Sequence, residues 1–219
     1  MARIKVLEKV LGANDKIAAD NRQWFLERGI TAVNLMSGPG AGKTSLLEQL
    51  LPRLASRGPV AVIEGDVSTT ADAERIAALG VPVVQINTDK LGGACHLEAL
   101  AIQTALADPP TDGLRWLFVE NVGNLVCPAE FDLGESRKVG VLSVTEGEDK
   151  PIKYPLLFRE IQLLLLNKVD LLPHLRLDLE RLLRNVRTVN PELRVLRVSA
   201  VTGEGLDEFL AWLERDLRP

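Results

Sequence analysis

Short apolar runs alternate with amphipathic stretches along most of this chain. From residue 31 onward, seven runs have the length and the near-continuous apolar character of strands that helices cover on both faces. The predicted strands are Thr31–Met36, Val60–Ile63, Pro82–Ile86, Trp116–Glu120, Val139–Val144, Leu163–Leu166 and Val195–Val198. The helices predicted between and after them are Thr44–Arg57, Ala71–Leu79, Gly93–Ala107, Leu175–Val186 and Leu206–Leu217. This alternation predicts an α/β fold with a mostly parallel sheet flanked by helices.

The first 29 residues follow another pattern. Apolar residues recur there at roughly helical spacing from Ile4, and Gly29 is a plausible helix end. We therefore predict an N-terminal helical extension over residues 1–29 and a single domain over residues 30–219.

Composition narrows the class of protein. Apolar residues make up 46% of the chain and charged residues 26%, which is typical of a globular protein. A net charge of −4 argues against nucleic-acid and anionic-membrane partners. The longest apolar run, near Ile161–Leu166, is far too short to cross a bilayer, and no signal-peptide core follows the first residues. With two cysteines we expect no disulfide framework and predict a cytoplasmic protein.

The first predicted strand runs into a glycine-rich loop that precedes a helix. The loop, Ser37 to Thr44, reads SGPGAGKT and departs from the phosphate-binding pattern Gly-x4-Gly-Lys-Thr only at Ser37. Its N–H groups and the helix N-terminus would bind phosphates. We predict that Lys43 reaches the β- and γ-phosphates of a bound nucleotide and that its side chain faces solvent when no nucleotide is bound. We also predict that Thr44 binds Mg²⁺. The predicted nucleotide-binding residues here are Gly38, Pro39, Gly40, Ala41, Gly42, Lys43, Thr44 and Ser45.

A candidate base-recognition segment, Asn167-Lys168-Val169-Asp170, directly follows a predicted strand. Ligands of open α/β sheets bind at that edge. The carboxylate of Asp170 can accept hydrogen bonds from N1–H and the 2-amino group of guanine, which adenine cannot supply. We expect Asn167 to contact the phosphate loop, Lys168 to lie along the base, and Ser199 and Ala200 to support it. The sequence thus favours GTP over ATP.

Two acidic residues near strand ends suggest the magnesium site. Mg²⁺ prefers hard oxygen ligands, and we predict that it binds Thr44, Asp66 and Glu120. Gly123 would let its N–H approach the γ-phosphate and move when that phosphate leaves. We therefore predict catalytic roles for Lys43, Asp66 and Gly123, while Asp66 and Asp72 are the candidates for activating the attacking water.

The cysteines and histidines suggest a second metal site. Cys95 and His96 are adjacent, and such a pair suits Ni²⁺ or Zn²⁺. Cys127 lies four residues after Gly123, so movement of that segment would carry it along. These three ligands need water, an acid or a second subunit to complete a shell. The alternative is two buried apolar cysteines and a hydrogen-bonded histidine. His174 follows a proline in a polar turn and is expected to be solvated.

Together these motifs resemble the HypB family, GTPases that assist nickel insertion during [NiFe]-hydrogenase maturation. The resemblance covers nearly the whole chain. The residues that carry it are Ser37–Thr44, Glu64–Asp66, Gly93–Leu97, Glu120–Pro128, Phe131–Glu135, Lys153–Pro155 and Asn167–Asp170. The urease accessory GTPases are the second candidate, but their Cys-Pro-His triplet is absent here.

The resemblance implies the P-loop fold of the signal-recognition and nitrogenase-iron-protein class. It also implies a GTP-dependent homodimer with Ni²⁺ or Zn²⁺ at Cys95, His96 and Cys127 near the interface. The implied partners are a small nickel-binding accessory protein and the hydrogenase large subunit. Lys153 is a candidate nucleotide contact, within one subunit or across the dimer. Some members store nickel in a Cys- or His-rich N-terminus, which is not expected for residues 1–29 because they contain neither residue.

No arginine finger is visible in the sequence, so we expect GTP hydrolysis to be slow and the metal site to be coupled to the nucleotide. Two other classes stay open. One is a GTP-dependent interaction module whose cysteines hold only structural zinc. The other is a thiol redox protein, which the absence of a Cys-x-x-Cys pair disfavours.

Overall fold

The computed structural model of this chain contains a seven-stranded sheet in which every neighbouring pair of strands is parallel. It describes residues 2–89, 95–107 and 111–215, with side chains from residue 12 to residue 214. The strands are β1 (Thr31–Ser37), β2 (Val60–Asp66), β3 (Val83–Asn87), β4 (Trp116–Glu120), β5 (Arg137–Ser143), β6 (Leu163–Asn167) and β7 (Arg194–Arg197). Their order is β3-β2-β4-β1-β5-β6-β7. The predicted α/β fold and all the predicted strands are confirmed.

The α-helices in the described residues are α1 (Ala2–Glu27), α2 (Lys43–Ala55), α3 (Ala71–Ala77), α4 (Ala99–Ala105), α5 (Cys127–Glu130), α6 (Lys150–Lys153), α7 (Pro155–Glu160), α8 (Leu179–Val189) and α9 (Leu206–Arg215), and 3₁₀ helices span Val144–Glu146 and Val169–His174. The sequence did not predict α5, α6 and α7, because helices of four to six residues are too short to show a helical period. Among these helices, none is both long and apolar enough to span a membrane.

Two helix starts differ from the prediction. Residues 95–98 are not helical, and α4 begins at Ala99 instead of Gly93, which itself lies outside the described residues. Helix α8 begins at Leu179 instead of Leu175 because Asp178 caps it, its carboxylate accepting a hydrogen bond of 2.9 Å from the Arg181 N–H. The segment that carries Cys95 and His96 is therefore a non-helical connection that precedes α4.

Alternation along β4 determines which side chains reach each face of the sheet. Trp116 and Phe118 pack in the core under α2 and α9, whereas Leu117 and Val119 pack in the core under α1 and α4. We name these the α2 face and the α4 face. Because successive side chains in an extended chain point to opposite faces, Glu120 lies on the α2 face and Asn121 on the α4 face.

Helix α1 is fastened to the α4 face by buried amides. Asn14 accepts a hydrogen bond from the Ala99 N–H (2.9 Å) and donates one to the Asp132 carbonyl (2.8 Å). Asn21 donates to the carbonyls of Ala99 (2.9 Å) and Leu133 (3.0 Å). The helix thus joins the start of α4 to the loop that precedes β5. The domain boundary at residue 29 stays a prediction.

Candidate functional site

The loop between β1 and α2 has the backbone shape that its glycines predict. Gly40 and Gly42 have φ angles of 71° and 97°, which side chains other than glycine rarely adopt. A Cβ atom on Gly42 would also lie only 2.6 Å from the Asn167 side-chain nitrogen. A Cβ atom on Gly38 would meet a carboxylate oxygen of Glu146 at 3.0 Å. The loop is therefore closely packed against two later segments of the chain.

The prediction that the Lys43 side chain faces solvent is wrong. The residue is only 8% exposed, and its ammonium group donates a 3.1 Å hydrogen bond to the Ser37 hydroxyl. Ser37 in turn donates a 2.7 Å bond to the Gly38 carbonyl. The serine that departs from the usual loop pattern thus gives the lysine a hydrogen-bond partner inside the loop.

The Asn167–Asp170 segment contacts the phosphate loop directly. Asn167 donates a 2.9 Å hydrogen bond to the Ala41 carbonyl, and the Lys168 ammonium donates a 2.7 Å bond to the Gly40 carbonyl. Asp170 accepts a 2.5 Å bond from the Ser199 hydroxyl, and Ala200 follows Ser199. The structure therefore brings the predicted base-recognition residues to the edge of the sheet where the phosphate loop lies.

A buried carboxylate faces the phosphate loop from β4. Glu120 is 3% exposed, and one of its oxygens accepts a 2.7 Å hydrogen bond from the Thr44 hydroxyl. Its other oxygen is buried without a hydrogen-bond partner. Burial raises the pKa of Glu120, while the nearby Lys43 ammonium and the Thr44 hydroxyl act in the opposite direction. A buried carboxylate oxygen without a hydrogen-bond partner is suited to bind a cation.

Sequence reasoning missed a second buried carboxylate, Glu64. It pairs in register with Glu120 across β2 and β4, on the α2 face, and is 2% exposed. Burial, and then the charge of Glu120, raises the pKa of Glu64 to about 8. The signal was present in the sequence, because Glu64 interrupts the apolar run of β2 at a position that alternation turns toward α2.

Asp66 and Asp72 have local partners. The Asp66 oxygens accept hydrogen bonds from the N–H groups of Val67 (2.6 Å) and Thr69 (3.2 Å) and from the Thr69 hydroxyl. Burial disfavours ionisation of Asp66, but these bonds outweigh it and lower its pKa. Asp72 accepts a 2.9 Å bond from Arg75, which also binds Glu48 and so joins α3 to α2.

Gly123 and Lys153 occupy different surroundings. A Cβ atom on Gly123 would lie 3.0 Å from the Pro39 Cα, so the segment after β4 touches the phosphate loop backbone at this glycine. Lys153, on α6, is exposed and pairs with Asp149, and this ion pair raises its pKa. Its assignment as a nucleotide contact stays a prediction.

Cys95, His96 and Cys127 lie together, with one potential ligand atom from each within 4.8 Å of the other two. Both cysteines are free thiols, and their sulfurs are 2.8 Å apart. The hydrogen bond with Cys95, followed by burial, raises the pKa of the Cys127 thiol. Two sulfurs and an imidazole form a donor set for a borderline or soft divalent cation such as Ni²⁺ or Zn²⁺.

The surroundings of His96 suit a metal ligand. Its ring stacks on Phe131, with the centroids 3.9 Å apart, and neither ring nitrogen has a hydrogen-bond partner. Burial lowers the pKa of His96, which favours the neutral imidazole that can bind a metal. The nearest acid is Glu98, with a carboxylate oxygen 3.8 Å from Nε2, and it could supply a fourth ligand. His174, by contrast, is exposed, as predicted.

Two asparagines connect both cysteine segments to the end of β4. Asn121 is buried, and its carbonyl oxygen accepts hydrogen bonds from the N–H groups of Leu97 (3.3 Å) and Val122 (2.9 Å). Asn124 donates a 3.4 Å bond to the Cys95 carbonyl and accepts a 2.8 Å bond from the Val126 N–H. No local pattern predicts these partners, because both contacts join segments more than 20 residues apart.

Comparisons with known proteins establish the family of this chain. Residues 31–197 match the family model of the CobW/HypB/UreG nucleotide-binding domain. The hydrogenase maturation factor HypB of Azotobacter vinelandii is 55% identical over 97% of this chain and 69% of its own length. HypB of Escherichia coli K12 is 52% identical over 98% of this chain and 74% of its own length.

Two solved structures are also similar. HypB from Archaeoglobus fulgidus superposes with a TM-score of 0.87 and 36% identity, covering 95% of this chain and all of that one. HypB from Helicobacter pylori in complex with nickel gives a TM-score of 0.88 and 34% identity, covering 94% and 95%. The chain therefore belongs to the CobW/HypB/UreG family and, within it, to the HypB hydrogenase maturation factors.

Proposed function

We propose that this chain is a GTP-hydrolysing nickel chaperone of hydrogenase maturation, in which the nucleotide state sets the affinity of the Cys95–His96–Cys127 site. The observation that carries the proposal is the contact pattern at the end of β4. Glu120 bonds to Thr44 of the phosphate loop, and the next residue, Asn121, bonds to the backbone beside His96. Neighbouring residues thus face the two sites from opposite faces of the sheet.

The nucleotide side has the groups that GTP requires. The loop around Gly40 and Gly42 and the N-terminus of α2 would bind the phosphates, and Lys43 would exchange its bond to Ser37 for a phosphate oxygen. Asp170, oriented by Ser199, would recognise guanine. No arginine finger is visible in the sequence, so slow GTP hydrolysis stays part of the proposal.

Mg²⁺ fits the residues present. The partnerless oxygen of Glu120 and the hydroxyl of Thr44 are hard ligands beside the lysine. When bound, Mg²⁺ would neutralise charge on the β- and γ-phosphates. The further assignment of Asp66 stays a prediction.

Coupling to nickel follows from two connections. Cys127 begins α5, shortly after Gly123, which touches the phosphate loop. The Cys95–Leu97 segment is bonded to Asn121 and Asn124 of the same stretch. A displacement of the residues after Glu120 would therefore act on both halves of the ligand set, and such coupling is reciprocal between metal and nucleotide.

A homodimer that forms with GTP, and nickel transfer to a small accessory protein and the hydrogenase large subunit, complete the proposal. The three protein ligands leave a metal shell incomplete, and Cys95 is exposed. Val126, next to Cys127, is 46% exposed, so the metal site adjoins apolar surface that a second subunit could cover. Sedimentation with GDP and with a non-hydrolysable GTP analogue tests the dimer.

The main experiment is a Ni²⁺ titration of the protein bound to GDP and to a non-hydrolysable GTP analogue. We expect the nickel affinity to differ at least several-fold between the two states, since a shift of even one ångström disrupts a soft-ligand shell. Equal affinities would exclude delivery coupled to the nucleotide. The protein would then be better described as a GTP-dependent interaction module that carries a static zinc or nickel ion.

A further inference from the structure

Two glutamates lie side by side beneath the phosphate loop. Glu64 and Glu120 are register partners on adjacent parallel strands, and both are at least 97% buried. Adjacent strands are about 4.8 Å apart, so the two side chains are neighbours on the α2 face. Each carboxylate has one buried oxygen without a hydrogen-bond partner.

Such a pair is costly unless something binds it. Burying one carboxylate without partners is unfavourable, and placing a second beside it adds like-charge repulsion. Most buried polar atoms in folded proteins do have partners. Two partnerless oxygens that share a face with the Thr44 hydroxyl and the Lys43 ammonium therefore have the chemistry of cation ligands and not that of a structural contact.

Asp66 is differently placed. It lies at the end of β2 and its two oxygens already accept three hydrogen bonds from Val67 and Thr69. These bonds shape the turn that leads to α3. To bind an ion, Asp66 would have to give up bonds within its own loop, whereas the free oxygen of Glu64 has none to lose.

We propose that Glu64 and Glu120 are the two carboxylates of the Mg²⁺ site, and that Asp66 serves the loop after β2. This inference rests on the proposed binding of Mg²⁺ and guanine nucleotide, and it changes which residue supplies the second acid. A hard divalent cation gives both free oxygens a partner and removes the repulsion between them. The two strands therefore hold the ion from the side of the sheet opposite the cysteine cluster.

Mn²⁺, which can be followed by electron paramagnetic resonance, tests the proposal. GDP-bound wild type, Glu64→Gln, Asp66→Asn and Glu48→Gln are titrated with Mn²⁺, and GDP affinity is measured separately in EDTA. Glu48 is the matched glutamate control, because it binds Arg75 on the surface of α2. We expect Mn²⁺ affinity to fall at least tenfold in Glu64→Gln and less than threefold in the other two variants, with GDP affinity in EDTA unchanged.

Several outcomes would overturn the inference. A larger loss of Mn²⁺ affinity in Asp66→Asn than in Glu64→Gln would identify Asp66 as the second carboxylate ligand. No loss of Mn²⁺ affinity in Glu64→Gln would show that Glu64 has only a structural role. If wild type fails to bind GDP, the proposed function itself fails. If Glu64→Gln does not fold, Glu64→Asp keeps the charge but shortens the side chain by one methylene. We then expect the same tenfold loss, and an unchanged Mn²⁺ affinity in that variant would reject the proposal.

Discussion

The two faces of the sheet differ in how their buried polar groups are satisfied at the end of β4. On the α2 face, Glu64 and Glu120 each keep an oxygen without a partner. On the α4 face, Asn121 accepts from Leu97 and donates a 3.2 Å bond to Asn34, and Asn34 donates a 3.1 Å bond to the buried Glu135. The first cluster is acidic and its hydrogen bonds are incomplete, whereas the second is a connected hydrogen-bond network.

This difference separates binding groups from positioning groups. An incomplete buried carboxylate is tolerated where a ligand will complete it, whereas a connected network fixes the positions of the segments that it joins. The cysteine–histidine cluster resembles the α2 face in this respect, because His96 also lacks partners. Substitutions of the groups that lack hydrogen-bond partners should therefore abolish ligand binding. Substitutions in the connected network should leave binding intact and change only how the nucleotide state affects the metal affinity.

The largest expected effect is at Lys43. Lys43→Ala removes the cation that would stabilise the transferred phosphate, so GTP hydrolysis should fall about 10³-fold or more, measured as phosphate release. Because Lys43 is buried beside two acids and bonded to Ser37, the nucleotide-free protein should also melt a few degrees lower. Ni²⁺ affinity without nucleotide should not change.

Lys138→Ala is the matched control for that experiment. Lys138 has a largely buried side chain that pairs with Glu160 at 3.6 Å, at the start of β5 and away from the phosphate loop. The Lys138→Ala protein should melt at a lower temperature but hydrolyse GTP at the same rate as wild type. Equal activity loss in both variants would show that the Lys43 effect is structural.

The second effect is at the metal cluster. Cys127→Ala removes a ligand, so Ni²⁺ affinity should fall at least about a hundredfold, since loss of outer-shell partners alone costs up to that much. Guanine nucleotide affinity should stay within about twofold, because Cys127 makes no bond to the phosphate loop among the described contacts. His174→Ala, at an exposed histidine, is the control and should change neither affinity. An unchanged nickel affinity in Cys127→Ala would disqualify the cluster.

The third effect concerns base choice. Asp170→Asn should lower GTP affinity by at least ~2 kcal/mol, about thirtyfold, because the amide replaces one acceptor oxygen by an NH2 donor, which cannot pair with a donor of guanine. It should admit xanthosine triphosphate, whose C2 oxygen can accept from the amide nitrogen while Ser199 still donates to the amide oxygen. Competition among GTP, ATP and XTP measures this. A uniform loss for all three would reduce Asp170 to a structural residue.

Much of this molecule can be predicted from local signals. The strand pattern, the loop from Ser37 to Thr44 and the Cys95–His96 pair each lie within a few consecutive residues, and the structure contains them where the sequence predicts. Glu64 was less evident, because a single acid in an apolar run looks like a strand end unless its register with Glu120 is known.

Other features depend on contacts between distant segments. The burial of Lys43 follows from the Ser37 hydroxyl and the acids of β2 and β4, which no local pattern combines. The bond from Leu97 to Asn121 spans 24 residues, and it depends on a non-helical stretch for which the sequence predicted a helix. Tertiary packing decided these details.

The smallest expected effect tests the network on the α4 face. Asn121→Ala removes the acceptor for the Leu97 N–H but leaves all three metal ligands in place. We therefore expect nickel still to bind, while the several-fold ratio between its affinities in the GTP-analogue and GDP states falls below about twofold. A purely structural role would weaken nickel binding equally in both states and preserve the ratio, which is why the ratio is the quantity to measure.

Asn34→Ala is the control within the same network. It removes the partner of the Asn121 amide nitrogen but leaves the bond between Asn121 and Leu97 intact, so it should lower the melting temperature and keep the ratio. If both variants preserve the ratio, the signal must pass through Gly123 and α5 to Cys127 alone. If both abolish it, the whole buried network is needed to transmit the state of the nucleotide. Loss of the ratio in Asn121→Ala alone would place the connection between the two faces at the step from Glu120 to Asn121.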